Sequence, residues 1–208
     1  MSMQEQEKIE DMDLDVLTEI ANIGAGNAVT ALSQMISNKI DMHVPQVKML
    51  TFSELSEILG GPEALVAGIM VSLDGDIEGY MLFMMENDAA HHLVNQLMGQ
   101  PGQEKEEEGF SEIAQSALTE IGNIITGAYL NSISKMTALQ ITTSIPYLAI
   151  DMAGAILSVP AIEFGKLGDK ALLIESRFCD MDIDLSGYFI MIPTMESYHA
   201  ILSALGIG

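Results

Sequence analysis

From about Met12 to Ser37 apolar residues recur every three or four positions, which predicts a long amphipathic helix. The pattern then switches to alternation over "IDMHVPQVKML", a strand with Pro45 at an edge or bulge. A shorter helix is expected in "TFSELSEILGGPEAL". "LVAGIMVSL" and "IEGYMLFMM" flank "DGD", a hairpin signal, because Asp-Gly suits the tight turn that matches strand twist. "ENDAAHHLVNQLMG" opens with cap-type residues and ends in Gly, as a closing helix should. The second half follows the same order. It has a helix from about Phe110 to Met136, a strand from Leu139 to Ile150 and a modified helix over roughly Met152–Phe164. A hairpin from "DKALLIESRF" and "MDIDLSGYFIMI" and a last helix "MESYHAILSAL" complete it. The charged stretch around 100–109, with its Pro and glycines, reads as a solvated connector.

This parallel is a duplication. Shifted by 101 residues, Leu17–Pro45 falls on Leu118–Pro146 with 11 of 29 positions identical. The offset then grows to 108, laying "EGYMLFM" on "SGYFIMI" and His91 on His199, so the second copy carries seven extra residues between Pro146 and Gly187. The expected fold is α+β: two helix–strand–helix–hairpin–helix units related by a pseudo-two-fold and sharing an antiparallel sheet. The chain reads as a single domain, 1–208, built from repeats of about 12–99 and 110–206.

Composition narrows the chemistry. Apolar residues make up 49% of the chain and aromatics 5%, so aliphatic side chains and the 16 Met must fill the interior. A net charge of −22 repels nucleic acid and anionic lipid, and makes bulk attraction of free phosphate esters implausible. Cys179 is alone, which excludes an internal disulfide, and it reads as a small core residue. The polar N-terminus and the lack of a long apolar run predict a soluble, cytoplasmic protein without membrane insertion.

The candidate site lies on the first helix of each copy. Asp15, Glu19, Asn22 and Gly26 are spaced 4, 3 and 4, which sets them on one face. Ser116, Glu120, Asn123 and Gly127 repeat that stripe. Leu14, Leu17, Ala21, Ala28, Leu32 and Met35 fall largely on another face and should pack inward. A solvated helix face explains one such stripe; two copies that keep Glu and Asn while neighbours drift favour function. Asn is a modest helix former, so a purely solvated face would be better served by Gln or Lys. The glycine one turn on would let another backbone or side chain approach. An amide can hold a water by donating and accepting hydrogen bonds, and a carboxylate can grip a cationic side chain. Phosphoryl transfer needs mainly positioning and charge stabilisation, so the pair suits a phosphoryl group already held by another protein.

The pattern Asp or Ser, three residues, Glu, two residues, Asn, 22 residues and Pro is met twice, at Asp15, Glu19, Asn22 and Pro45 and at Ser116, Glu120, Asn123 and Pro146. It resembles the CheC-type phosphatases of bacterial chemotaxis, within the CheC/CheX/FliY group, over nearly the whole chain. The resemblance implies hydrolysis of the aspartyl phosphate of the response regulator CheY, with magnesium supplied by the regulator and no cofactor of the chain's own. Asn22 and Asn123 would position the water, and Glu19 and Glu120 would pair with the regulator's active-site lysine. Pro45 and Pro146 would shape the strand after the helix. Two motifs in one chain imply a monomer, and the FliY type's further domain has no room here. The resemblance also implies binding of the receptor deamidase CheD through the modified helix, about Gly154–Phe164, where Pro160 departs from a regular helix.

Three other readings stand beside it. "GAG" at Gly24–Gly26 lacks the full phosphate-loop pattern and a preceding strand. Asp88, His91 and His92 have spacings that could hold a metal, but only His91 has a counterpart, and paired surface histidines explain them more simply. The rival from another class is a non-catalytic adaptor that binds CheY and CheD and uses the stripe only for docking.

Overall fold

The computed structural model describes residues 3–36, 41–42, 46–99, 109–164, 170–180 and 183–207. The elements run α1 (Met3–Ile36), β1 (Asp41–Met42), β2 (Gln46–Thr51), α2 (Phe52–Ile58), β3 (Leu65–Gly75), β4 (Gly79–Glu86) and α3 (Asn87–Leu97). They continue α4 (Glu112–Thr137), β5 (Ile141–Thr143), β6 (Tyr147–Met152), α5 (Ala153–Phe164), β7 (Lys170–Asp180), β8 (Ile183–Pro193) and α6 (Met195–Ala204).

The eight strands among the described residues join one antiparallel sheet. Its path is β1-β7-β8-β4-β3-β5, with β2 also on β7 and β6 also on β3. At the centre β4 pairs with β8, and Leu82 faces Ile190, its own counterpart at the 108-residue offset. The pseudo-two-fold therefore passes between these two residues, as the α+β expectation required. Each half hands its outer strand to the other: β2 runs beside β7, and β5 and β6 run beside β3.

Six strands were expected and eight are found among the described residues, because the second isolated strand is interrupted and the first is described as two segments, β1 and β2, on either side of residues 43–45. From Thr143↔Leu73 to Tyr147↔Met70 the outer strand advances four residues against three, so one residue is extra, as in a bulge. Pro146 lies in that step and has no N–H for a ladder bond. Ser144 bridges the break: its N–H donates to the Ser72 carbonyl and its Oγ accepts from the Ser72 N–H, both at 3.0 Å. The same four-to-three count separates Met42↔Phe178 from Gln46↔Glu175. Pro45 itself lies outside the described residues, as does the connector from 100 to 108.

The sheet is covered on both faces, so strand side chains alternate between two cores. Met81, Phe83, Met85, Phe189 and Met191 pack with buried residues of α1, α3, α4 and α6. Leu82, Met84, Tyr188, Ile190 and Ile192 pack with Leu55 of α2, with Leu59 at its C-terminal end and with Ala153, Ile156 and Leu157 of α5. Burial on both faces is why "YMLFMM" is apolar throughout instead of alternating. The hairpin is confirmed, but Asp74 and Gly75 extend β3 beside β5 and the turn itself falls at Asp76–Glu78; Gly75 has φ +107, and a Cβ there would stand 2.6 Å from the Gln140 carbonyl oxygen. The Asp76 N–H donates to that oxygen, and Asp76 Oδ2 accepts from the Gln140 N–H.

One boundary differs from expectation, and the modified helix falls where it was expected. Helix α1 starts at Met3, nine residues before the apolar pattern begins. Helix α5 runs twelve residues against seven in α2, which accounts for much of the extra length of the second half, and it continues through a buried Pro160. The Cys179 backbone pairs with Asp41, and its side chain lies outside the described set.

Candidate functional site

Helices α1 and α4 lie against each other on one face of the sheet and carry both stripes. Their buried faces are fixed by Leu17, Ile20, Ala21, Ala25, Ala28 and Leu32 on α1 and by Leu118, Ile121, Ile125, Tyr129 and Ile133 on α4. Two contacts set their separation. The Tyr129 ring lies on Gly24, where a Cβ would stand 2.6 Å from Cδ1. One turn on, Asn27 Nδ2 donates to Ser132 Oγ at 3.0 Å, and that hydroxyl donates to the Ala128 carbonyl at 2.8 Å. Below them Tyr129 tilts against Phe189 at 4.1 Å, and Phe189 stacks on Phe83 at 4.7 Å. Gly122 is pressed onto Ile69 of β3, with a Cβ position 2.7 Å away. The site helices therefore rest on the sheet centre through rigid aromatic and backbone contacts.

The stripes face outward from this base. Asp15, Glu19 and Gly26 are exposed and Asn22 is half-buried; Ser116, Glu120 and Asn123 are exposed and Gly127 is half-buried. Among the described residues no hydrogen bond or ion pair engages Glu19, Asn22, Glu120 or Asn123. Four polar side chains are thus held on well-packed helices while their own groups stay available to another molecule. The glycine of each stripe corrects the expectation in part. Among the described residues beyond the local helix backbone, nothing comes within 4 Å of a Cβ placed at Gly26 or Gly127, so the close intramolecular approaches occur instead at Gly24 and Gly122. Gly24 also lies inside α1, not in a phosphate-binding loop.

The histidines sit elsewhere. His91 stacks on Phe110 at 3.9 Å, and His92 lies 3.5 Å from the Gln96 side chain. Among the described residues no three His, Cys, Asp or Glu side chains gather where they could hold a metal ion. No helix among them is long and apolar enough to cross a membrane. One site feature escaped the sequence reading: Ile23, next to Asn22, is 41% exposed. Its identity with Ile124 in the other copy was the available signal.

The CheC-like family profile matches residues 12–49, and that of the chemotaxis phosphatase CheX matches 67–162, so each spans one Glu-x-x-Asn pair. Among solved structures, Thermotoga maritima FliY superposes with a TM-score of 0.73 at 21% identity, covering 94% of this chain and 96% of that one. A CheX–CheY–BeF3–Mg complex from Borrelia burgdorferi gives 0.54 at 18% identity, over 84% of this chain and 96% of that one. The CheY-P phosphatase CheC of Bacillus subtilis (strain 168) is 35% identical over 200 residues, 95% of this chain and 96% of its own. At that identity over nearly the whole of both sequences, the chain belongs to the CheC-like family.

Proposed function

We propose that this chain hydrolyses the aspartyl phosphate of a CheY-type response regulator, with Glu19 and Asn22 forming one site and Glu120 and Asn123 the other. The observation that carries the reading is the pairing of an unengaged carboxylate with an unengaged amide, twice, on the outer faces of two core-anchored helices. The Asn carboxamide accepts a hydrogen bond from a water and donates one to a phosphoryl oxygen, setting the water in line with phosphorus. The water adds to phosphorus, the bond from phosphorus to the aspartyl oxygen breaks, and inorganic phosphate and the free carboxylate leave. The Glu carboxylate binds a lysine of the regulator and fixes the docking angle. Magnesium belongs to the regulator and offsets phosphoryl charge there. This division of labour fits a chain with net charge −22, which is poorly suited to gathering phosphate by itself.

The finer assignments belong to the same reading. The chain is one monomeric domain of two repeats, 1–208, working in the cytoplasm. The exchange of outer strands supports it, since neither half completes the sheet alone. Helix α5 is the docking surface for CheD over about Gly154–Phe164; Val159 and Ile162 there are exposed, and α5 has no charged residue before Glu163.

The test is phosphate release from phosphorylated CheY. Asn22→Ala/Asn123→Ala should lose turnover, by about 10²–10³-fold as expected for removal of a positioned polar group, while its melting temperature stays that of the parent. Unchanged release would remove the asparagines from the reaction. If the parent itself does not speed release yet binds the regulator, the non-catalytic adaptor is the correct reading.

A further inference from the structure

We infer that Ile23 and Ile124 are the residues on which the phosphorylated regulator seats itself beside each Glu–Asn pair; the inference rests on the function just proposed. Glu19, Asn22, Ile23 and Gly26 stand at i, i+3, i+4 and i+7, a closed diamond on the helix surface. Glu120, Asn123, Ile124 and Gly127 form the same diamond on α4 with all four residue types identical. Each diamond thus has an anion, an amide, an aliphatic side chain and a glycine with open space above it.

The isoleucine is out of place for stability alone. The neighbouring apolar residues of α1, Leu17, Ile20 and Ala21, are buried, yet Ile23 is 41% exposed. A β-branched residue is also a weaker helix former than the Leu, Lys or Gln that could stand there. A chain of net charge −22 gains little long-range attraction toward a phosphorylated protein, so short-range apolar contact adds to the Glu–lysine pair in holding the complex. The missing Cβ at Gly26 and Gly127 lets the regulator's backbone come down to the helix beside the isoleucine. Ile124 is half-buried, so Ile23 offers the larger contact.

Phosphate release measured against phosphorylated CheY concentration tests this, with titration of beryllofluoride-activated CheY as a direct binding readout. Ile23→Ser/Ile124→Ser should raise KM and Kd by about tenfold, the scale of losing a buried interface anchor, with kcat changed less than about twofold. Ile23→Val/Ile124→Val, which keeps most of the apolar surface, should bring both constants back to within about twofold of the parent. Ile23→Ser alone should exceed Ile124→Ser alone in its effect. Unchanged KM and Kd in the serine pair overturn the inference, as does a fall in kcat at constant KM. Failure of the underlying phosphatase reading has a different signature: the parent does not speed phosphate release, whatever the serine pair does to Kd.

Discussion

Tyr129 of α4 lies flat on Gly24 of α1, two residues after Asn22, with no room for even a methyl group between them. Tyr129 is fully buried and its ring is tilted against Phe189, so it has nowhere to retreat. Gly26, two residues further on, has open space above its Cβ position. The two glycines of one helix turn should therefore answer the same substitution in opposite ways. Gly24→Ala should destabilise by about 1–3 kcal/mol through overpacking. Gly26→Ala should stabilise by up to about 1 kcal/mol, because Ala is the better helix former. Thermal melts check both. If the open space serves the regulator, Gly26→Ala/Gly127→Ala raises KM despite its higher melting temperature.

The two Glu–Asn pairs share no hydrogen bond among the described residues, although the helices that carry them pack against each other. Their contributions to turnover should then add. The rates of Asn22→Ala and Asn123→Ala should sum to the parental rate, within the precision of a phosphate-release assay at saturating regulator. A sum well below the parent would mean that the pairs act as one unit.

Thr126 is 2% exposed, and its Oγ1 finds no hydrogen-bond partner among the described residues. Its counterpart in the first half is Ala25, which is apolar. Thr126→Val keeps the shape and removes an unsatisfied hydroxyl, so it should gain about 1 kcal/mol. A melting temperature raised by about 2–4 °C, typical for a chain of this size, is the expected readout.

The sequence carried the site unusually far, because helical spacing alone sets Glu19, Asn22 and Gly26 on one face and repetition distinguishes that face from an ordinary solvated one. It was less informative wherever the deciding partner lies far off in the chain. Nothing in the alternation of "QVKML" tells β2 to run beside β7 instead of the hairpin that follows it. Gly24 and Gly26 look alike in sequence, and only the position of Tyr129, 105 residues later, separates the packed one from the open one. The early start of α1 was missed for another reason: "MQEQEKIED" has no apolar stripe, yet Gln, Glu and Lys are good helix formers. Ile23 matches Ile124 across the duplication, but its exposure follows only from the packing around it.

Helix α4 ends on Ala138, whose φ of +58 places a residue with a Cβ in the left-handed region that glycine favours. Ala138→Gly should relieve that strain and stabilise by about 0.5–1 kcal/mol, after the larger backbone freedom of glycine in the unfolded chain is set against it. Chemical denaturation with an unchanged slope and a raised midpoint is the expected result.

The exchange of outer strands also governs how the chain comes off the ribosome. Gln46 meets Glu175 and Thr51 meets Lys170, so β2 has no partner until more than a hundred further residues have been made. At translation speeds of roughly 5–20 residues per second, that interval is on the order of ten seconds. The nascent first half must therefore wait with an open strand edge, a surface to which other unfolded chains can add. Guarding that edge during synthesis is a burden the finished sheet no longer shows.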